Sequence, residues 1–98
     1  MRIERIIWIG KFVQKIYSKH GVIVDEVEEI LLSKPLFRRA QKGRVEGEDL
    51  FFAYGKTYAG RHLFIVFVLK EGNIGVVISA RDMTRRERRY YDVHKKKA

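Results

Sequence analysis

Apolar side chains near the start of the chain recur at helical spacing. Ile6, Ile7, Ile9, Phe12, Val13, Ile16 and Tyr17 form one stripe, and Lys11, Gln14, Lys15 and Ser18 fill the opposite face. That pattern predicts an amphipathic helix over about residues 4–19. Gly21 stands where a left-handed C-cap is needed, and Lys19 and His20 fall in the last turn, where positive charge suits the helix dipole. A second helix is expected from near Asp25, with Asp25 as cap and Glu28 closing a capping box. Its buried stripe is Val27, Ile30 and Leu31, and Pro35 ends it.

Beyond Pro35 the period changes. Residues 36–39 and 50–54 are short strand candidates, separated by the polar stretch from Gln41 to Glu48. Tyr58 to Arg61 has turn composition. Leu63 to Leu69 is an apolar run, too short for a typical helix and rich in β formers. Glu71-Gly72-Asn73 predicts a hairpin turn, with Gly75 to Ser79 as the return strand. Thr84 then caps a third helix with Glu87 at the capping-box position, and this helix frays into Lys95-Lys96-Lys97. The order predicts an α+β fold in one domain over residues 1–98: two N-terminal helices, an antiparallel sheet of three or four strands, and a C-terminal helix.

Charge adds a direction to this outline. The chain carries 21 Lys and Arg against 12 Asp and Glu, for a net charge of +9. The excess is uneven, about +1 over residues 1–35 and +5 over residues 81–98. Such asymmetry suits a polyanion or an acidic protein as partner. No cysteine is present, which excludes disulfides and thiolate metal sites, and His20, His62 and His94 lack metal-ligand spacing. The start of the chain has no signal-peptide pattern, and no apolar run has the length needed to span a bilayer, so a cytoplasmic protein without membrane contact is expected.

Four groups of residues, in order, resemble the BrnT family of toxins. They are Trp8 with Lys19-His20-Gly21; Glu26 with Glu29; Gly47-Glu48 leading to Gly55-Lys56-Thr57 and Gly60-Arg61-His62-Leu63; and Ile78-Ser79-Ala80-Arg81 followed by Thr84, Glu87-Arg88 and Tyr91. The resemblance covers about residues 8–91. It implies a RelE-like fold and a toxin that cleaves RNA and stops translation. It also implies a cognate antitoxin, typically with a ribbon-helix-helix DNA-binding domain, so that DNA is met only through the antitoxin complex. The chain departs from the family pattern at five places. Many members carry Asp, Lys and Asn where it has Ile9, Phe12 and Ile16, and Arg where it has Leu50 and Val76.

A ribonuclease of this kind needs no metal or other cofactor, because the RNA 2′-OH is the nucleophile. The protein orients the attack, helps move protons and stabilises the charged phosphorane. Arg81 is the leading catalytic candidate, standing between a strand and a helix N-terminus, with a structural ion pair to Asp82, Glu87 or Glu48 as the alternative. His20, Glu48 and Arg61 are accessory candidates, each with a structural alternative as a helix-end, ion-pair or turn residue. Lys19, Lys56, Arg85 and Arg88 are candidate RNA contacts. Tyr90 and Tyr91 suit base stacking or packing of the last helix, and Trp8 suits the core or a partner surface. Two other functions fit less of the pattern: an antitoxin-binding module with weak or no catalysis, and a plain RNA- or DNA-binding domain.

Overall fold

The computed structural model describes residues 1–41 and 48–95. Residues 42–47 of the polar stretch, Gly47 among them, and Lys96-Lys97 of the basic tail lie outside the described residues. The elements run β1 (Arg5–Ile7), α1 (Gly10–His20), α2 (Val24–Leu31), β2 (Leu36–Gln41), β3 (Asp49–Lys56), β4 (His62–Lys70), β5 (Ile74–Asp82) and α3 (Arg85–His94). The strands form one five-stranded sheet in the order β1-β5-β4-β3-β2. The α+β expectation therefore holds, with two corrections at the N-terminus.

The first correction is at Arg5–Ile7, which is a strand and not the start of the helix. It pairs in parallel with β5, Ile7 opposite Val76, so the sheet is mixed. Three β-branched residues at 6, 7 and 9 fit a strand edge as well as a helix stripe, and pairing with β5 decides between them. The second correction is at α2. Its N-cap is Ile23, whose backbone N–H donates to the Glu26 carboxylate at 3.1 Å, so Asp25 lies inside the first turn and does not cap it. The C-terminal signals hold: Gly21 takes φ +63° and its N–H donates to Tyr17 O at 2.8 Å.

The core lies on one face of the sheet. Phe51 and Ala53 of β3, Leu63, Ile65 and Phe67 of β4, and Val77 and Ala80 of β5 pack there against Ile16, Val22, Val27, Ile30 and Leu31. Gly55 lets α2 approach β3 closely, since a methyl group at that position would stand 2.5 Å from Ile30 Cγ2. Phe67 is fully buried, with Phe51 and Phe37 each at 5.9 Å between ring centroids. Trp8 packs against this core, and its indole N–H donates to Glu28 at 3.1 Å, fixing the approach to α1 over α2.

The β4–β5 hairpin turns through Gly72 and Asn73, at φ +81° and +58°. Asn tolerates this left-handed conformation better than most residues. A bulge between Val77 and Ser79 makes Ile78 the extra residue. Among the described residues no buried side-chain nitrogen or oxygen lacks a partner, and no helix is long and apolar enough to cross a membrane.

Candidate functional site

Successive strand residues alternate between faces, so the sheet has a second face opposite the core. Read across the ladders, its rows are Lys56 beside His62; Tyr54, Phe64 and Arg81; Phe52, Val66 and Ser79; and Leu50, Val68 and Val76. Helix α3 covers the first two rows. Tyr90 meets Tyr54 at 5.1 Å between centroids, and Tyr91 sits edge-on to His62 at 5.8 Å. Burial, then the Arg88 charge, holds the His62 imidazole below the usual histidine range. The capping box starts α3 as expected: Thr84 Oγ1 accepts from Glu87 N at 3.1 Å, and the Glu87 carboxylate accepts from Thr84 N at 2.9 Å.

Between α3 and the sheet lies an open cavity of about 470 Å³, lined by Arg38, Tyr54, Phe64, Arg81, Arg86 and Tyr90, among others. Arg81 donates Nη1 and Nη2 to the two Glu87 oxygens at 2.7 and 2.8 Å, and Nη1 also to Asp82 O at 3.1 Å. Its guanidinium lies 4.6 Å from the Phe64 ring centroid. The paired carboxylate raises the Arg81 pKa above its usual value. Burial disfavours the Glu87 charge, but hydrogen bonds from Arg81 and Thr84 outweigh it and hold this carboxyl below the usual range. The Nε–H and one Nη2–H of Arg81 meet no acceptor among the described residues. Arg81 is thus fixed in place with one edge still able to take a phosphate oxygen.

Arg61 is a different case. Nε and Nη2 donate to Asp82 at 2.8 and 3.1 Å; Nη1 donates to Gly21 O at 3.0 Å and to Glu26 at 3.2 and 3.3 Å; Nη2 also donates to His20 O at 2.8 Å. All five N–H groups of a guanidinium therefore have protein acceptors. Arg61 clamps the end of α1, the start of α2 and the end of β5. Its hydrogen bond to Asp82 raises the Arg61 pKa, and the same bond holds the Asp82 carboxyl low against the opposing effect of burial. Asp82 follows Arg81 directly, so the clamp lies across β5 from the cavity.

The sequence candidates thus divide. Arg81 lines the cavity, Arg85 is the first residue of α3, and Lys56 and Arg88 stand near His62 farther along the same covered face. Lys19 and His20 sit at the end of α1 beside the Arg61 clamp. Glu48 pairs with Lys70 at 3.6 Å at the other end of the second face. Glu48 stands just before the start of β3, six positions ahead of Tyr54, roughly 20 Å along the extended chain, so Glu48 and Arg81 do not reach one scissile phosphate.

Sequence reasoning did not single out Arg38, Arg86 or Tyr54. Arg38 lies opposite Phe52 and stacks over Tyr90 at 5.3 Å, while Arg39 falls on the core face and bonds Asp49 at 2.9 Å. Strand alternation separates that Arg-Arg pair, but only the β2–β3 register says which member faces the cavity. Among the described residues no three His, Asp or Glu side chains converge as a metal site.

Four of the five positions that depart from the family pattern come together. Ile9 and Phe12 line a groove with Val68, Val76 and Ile78, and Leu50 extends the row through Val68. Ile16, the fifth, is a core residue.

No curated protein matches the chain. A crystal structure of the Brucella abortus ribonuclease toxin BrnT superposes with a TM-score of 0.57 at 20% identity, covering 83% of this chain and 97% of that one. At that identity the likeness is one of fold. A family model described as the ribonuclease toxin BrnT of a type II toxin–antitoxin system matches residues 4–87, which takes in every strand, both N-terminal helices and the Arg81–Glu87 pair. By that match over most of its length, the chain belongs to the BrnT family of type II toxin–antitoxin systems.

Proposed function

We propose that this chain is an endoribonuclease toxin whose cavity between α3 and the sheet holds single-stranded RNA and cleaves it without a metal. The observation that carries this reading is the partly satisfied Arg81. Glu87 holds it rigid, and Arg81 lines a cavity together with Arg38, Arg86, Tyr54 and Tyr90. Tyrosine faces suit unpaired bases, and arginines suit the phosphates between them.

In the reaction the RNA 2′-oxygen bonds to the adjacent phosphorus and the bond to the 5′-oxygen breaks. The proton leaving the 2′-OH is balanced by one delivered to the 5′-oxygen, and the ends are a 2′,3′-cyclic phosphate and a 5′-OH. Arg81 stabilises the extra phosphorane charge, and the cavity orients the attack. Lys56, Arg85 and Arg88 extend the cationic track for the strand. Arg61 and His20 act through the fold, by holding the end of β5 that carries Arg81. In the cell the partner is a cognate antitoxin, with a ribbon-helix-helix domain, that reaches DNA on behalf of the pair in the cytoplasm.

The apolar row Leu50–Val68–Val76 favours a second reading, in which the chain keeps its antitoxin-binding surface and cleaves weakly or not at all. Purified protein incubated with total RNA in a chelator, with and without ribosomes, separates the two. Cleavage supports the enzyme, and intact RNA in both arms supports the binding module.

A further inference from the structure

Away from α3, the second face becomes apolar. Ile7, Val76, Val68 and Leu50 stand in one row across β1, β5, β4 and β3. Ile7 is 45% exposed and Ile9 38%. Ile9 and Phe12 wall a groove of about 370 Å³ over Val68, Val76 and Ile78, with the Lys70–Glu48 pair on its rim. Lys11 lies over the Phe12 ring at 5.2 Å. Burying this strip against a partner would be favourable.

Charge distinguishes between the possible partners. The strip and the arginine cavity share one sheet face, and Val68 is four strand residues from Phe64, roughly 13 Å. That span is within the reach of a single extended polypeptide segment of a few residues. A second copy of this chain would bring another +9 charge and another arginine cavity against the first. An acidic segment has the opposite complementarity, as its apolar side chains fill the strip while its carboxylates reach Arg38, Arg81 and Arg86.

We propose that the Ile7–Ile9–Phe12–Val68–Val76 strip is the seat of an acidic, amphipathic segment of the cognate antitoxin, which runs from there into the Arg81 cavity and competes directly with RNA. This inference rests on the toxin reading above and adds where, and by what chemistry, neutralisation occurs.

The test uses the full chain and the antitoxin encoded beside it, with Ile9→Asp and Val76→Glu. Asp at the N-cap of α1 supplies a cap that Ile9 lacks, so Ile9→Asp keeps the helix. Both variants are expected to bind antitoxin at least tenfold more weakly and to cleave RNA as the unaltered chain does. The antitoxin is also expected to displace a fluorescent single-stranded RNA oligonucleotide. Unchanged affinity in a folded Ile9→Asp overturns the proposal even if Val76→Glu does not fold. So does RNA that stays bound in a ternary complex, or self-association of the chain that Ile9→Asp abolishes. If the unaltered chain binds no antitoxin, the toxin–antitoxin reading falls and this proposal with it.

Discussion

Removing Arg61 leaves the His20 and Gly21 carbonyls, Glu26 and Asp82 without their shared donor. Hydrogen bonds to charged groups contribute about 1.5–3 kcal/mol each, and they are not additive in one network. Arg61→Ala is therefore expected to cost on the order of 2–3 kcal/mol, measured by urea unfolding. Arg61→Lys should restore little, since an ammonium cannot span four acceptors in a plane. Loss of activity in Arg61→Ala should follow loss of folded protein. Arg81→Ala should behave in the reverse way, with a folded chain and little cleavage. The sequence put Arg81 ahead of Arg61 as a catalytic candidate, but it could not tell how many donors of each the fold consumes. Arg61 meets acceptors 21, 35, 40 and 41 residues away, partners that no local pattern displays.

The end of α1, the start of α3 and the β4–β5 hairpin were legible because their signals are local. Thr84 with Glu87, Gly21 in the left-handed region and the Gly72-Asn73 turn all stand as read. Thr84→Ala should cost about 1 kcal/mol in a denaturation midpoint. It should also loosen Glu87, and with it Arg81, so cleavage should fall more than stability alone explains. The short strand Arg5–Ile7 was not legible, since its pairing with β5 joins residues about seventy positions apart. The approach of α2 to β3 is equally non-local. Gly55→Ala pushes a methyl group into Ile30 and should destabilise by about 1–3 kcal/mol. A Gly55→Ala chain as stable as the original would contradict that packing.

Across the whole molecule, three perturbed groups make stability depend on pH in one direction. Asp82 and Glu87 have folded pKa values below the ordinary carboxylate range, and His62 lies below the ordinary histidine range. In each case the unfolded chain binds protons more readily, so stability rises with pH. The His62 contribution is complete above the ordinary histidine range and is lost as the pH falls through that range to its lower folded value. The carboxylate contributions are complete above the ordinary carboxylate range and are lost as the pH falls to their lower folded values. Thermal unfolding should therefore show a falling Tm on acidification below about pH 6.5, steepening in the carboxylate range, with a shallower acid limb in Glu87→Gln. A Tm that rises on acidification would contradict the assignment.

The net charge of +9 acts at the same scale. Association with RNA or with an acidic antitoxin should slow as salt rises. One fixed, partly satisfied arginine on the α3 side of the sheet, Arg81, is the proposed source of the ribonuclease activity. Its most direct test is cleavage of total RNA in chelator, with ribosomes supplied in a parallel arm, by the unaltered chain beside Arg81→Ala and Arg81→Lys, each shown folded by circular dichroism. Cleavage by the unaltered chain is expected, with a loss of about a hundredfold or more in Arg81→Ala and partial recovery in Arg81→Lys. Equal cleavage by the unaltered chain and a folded Arg81→Ala would contradict that role for Arg81.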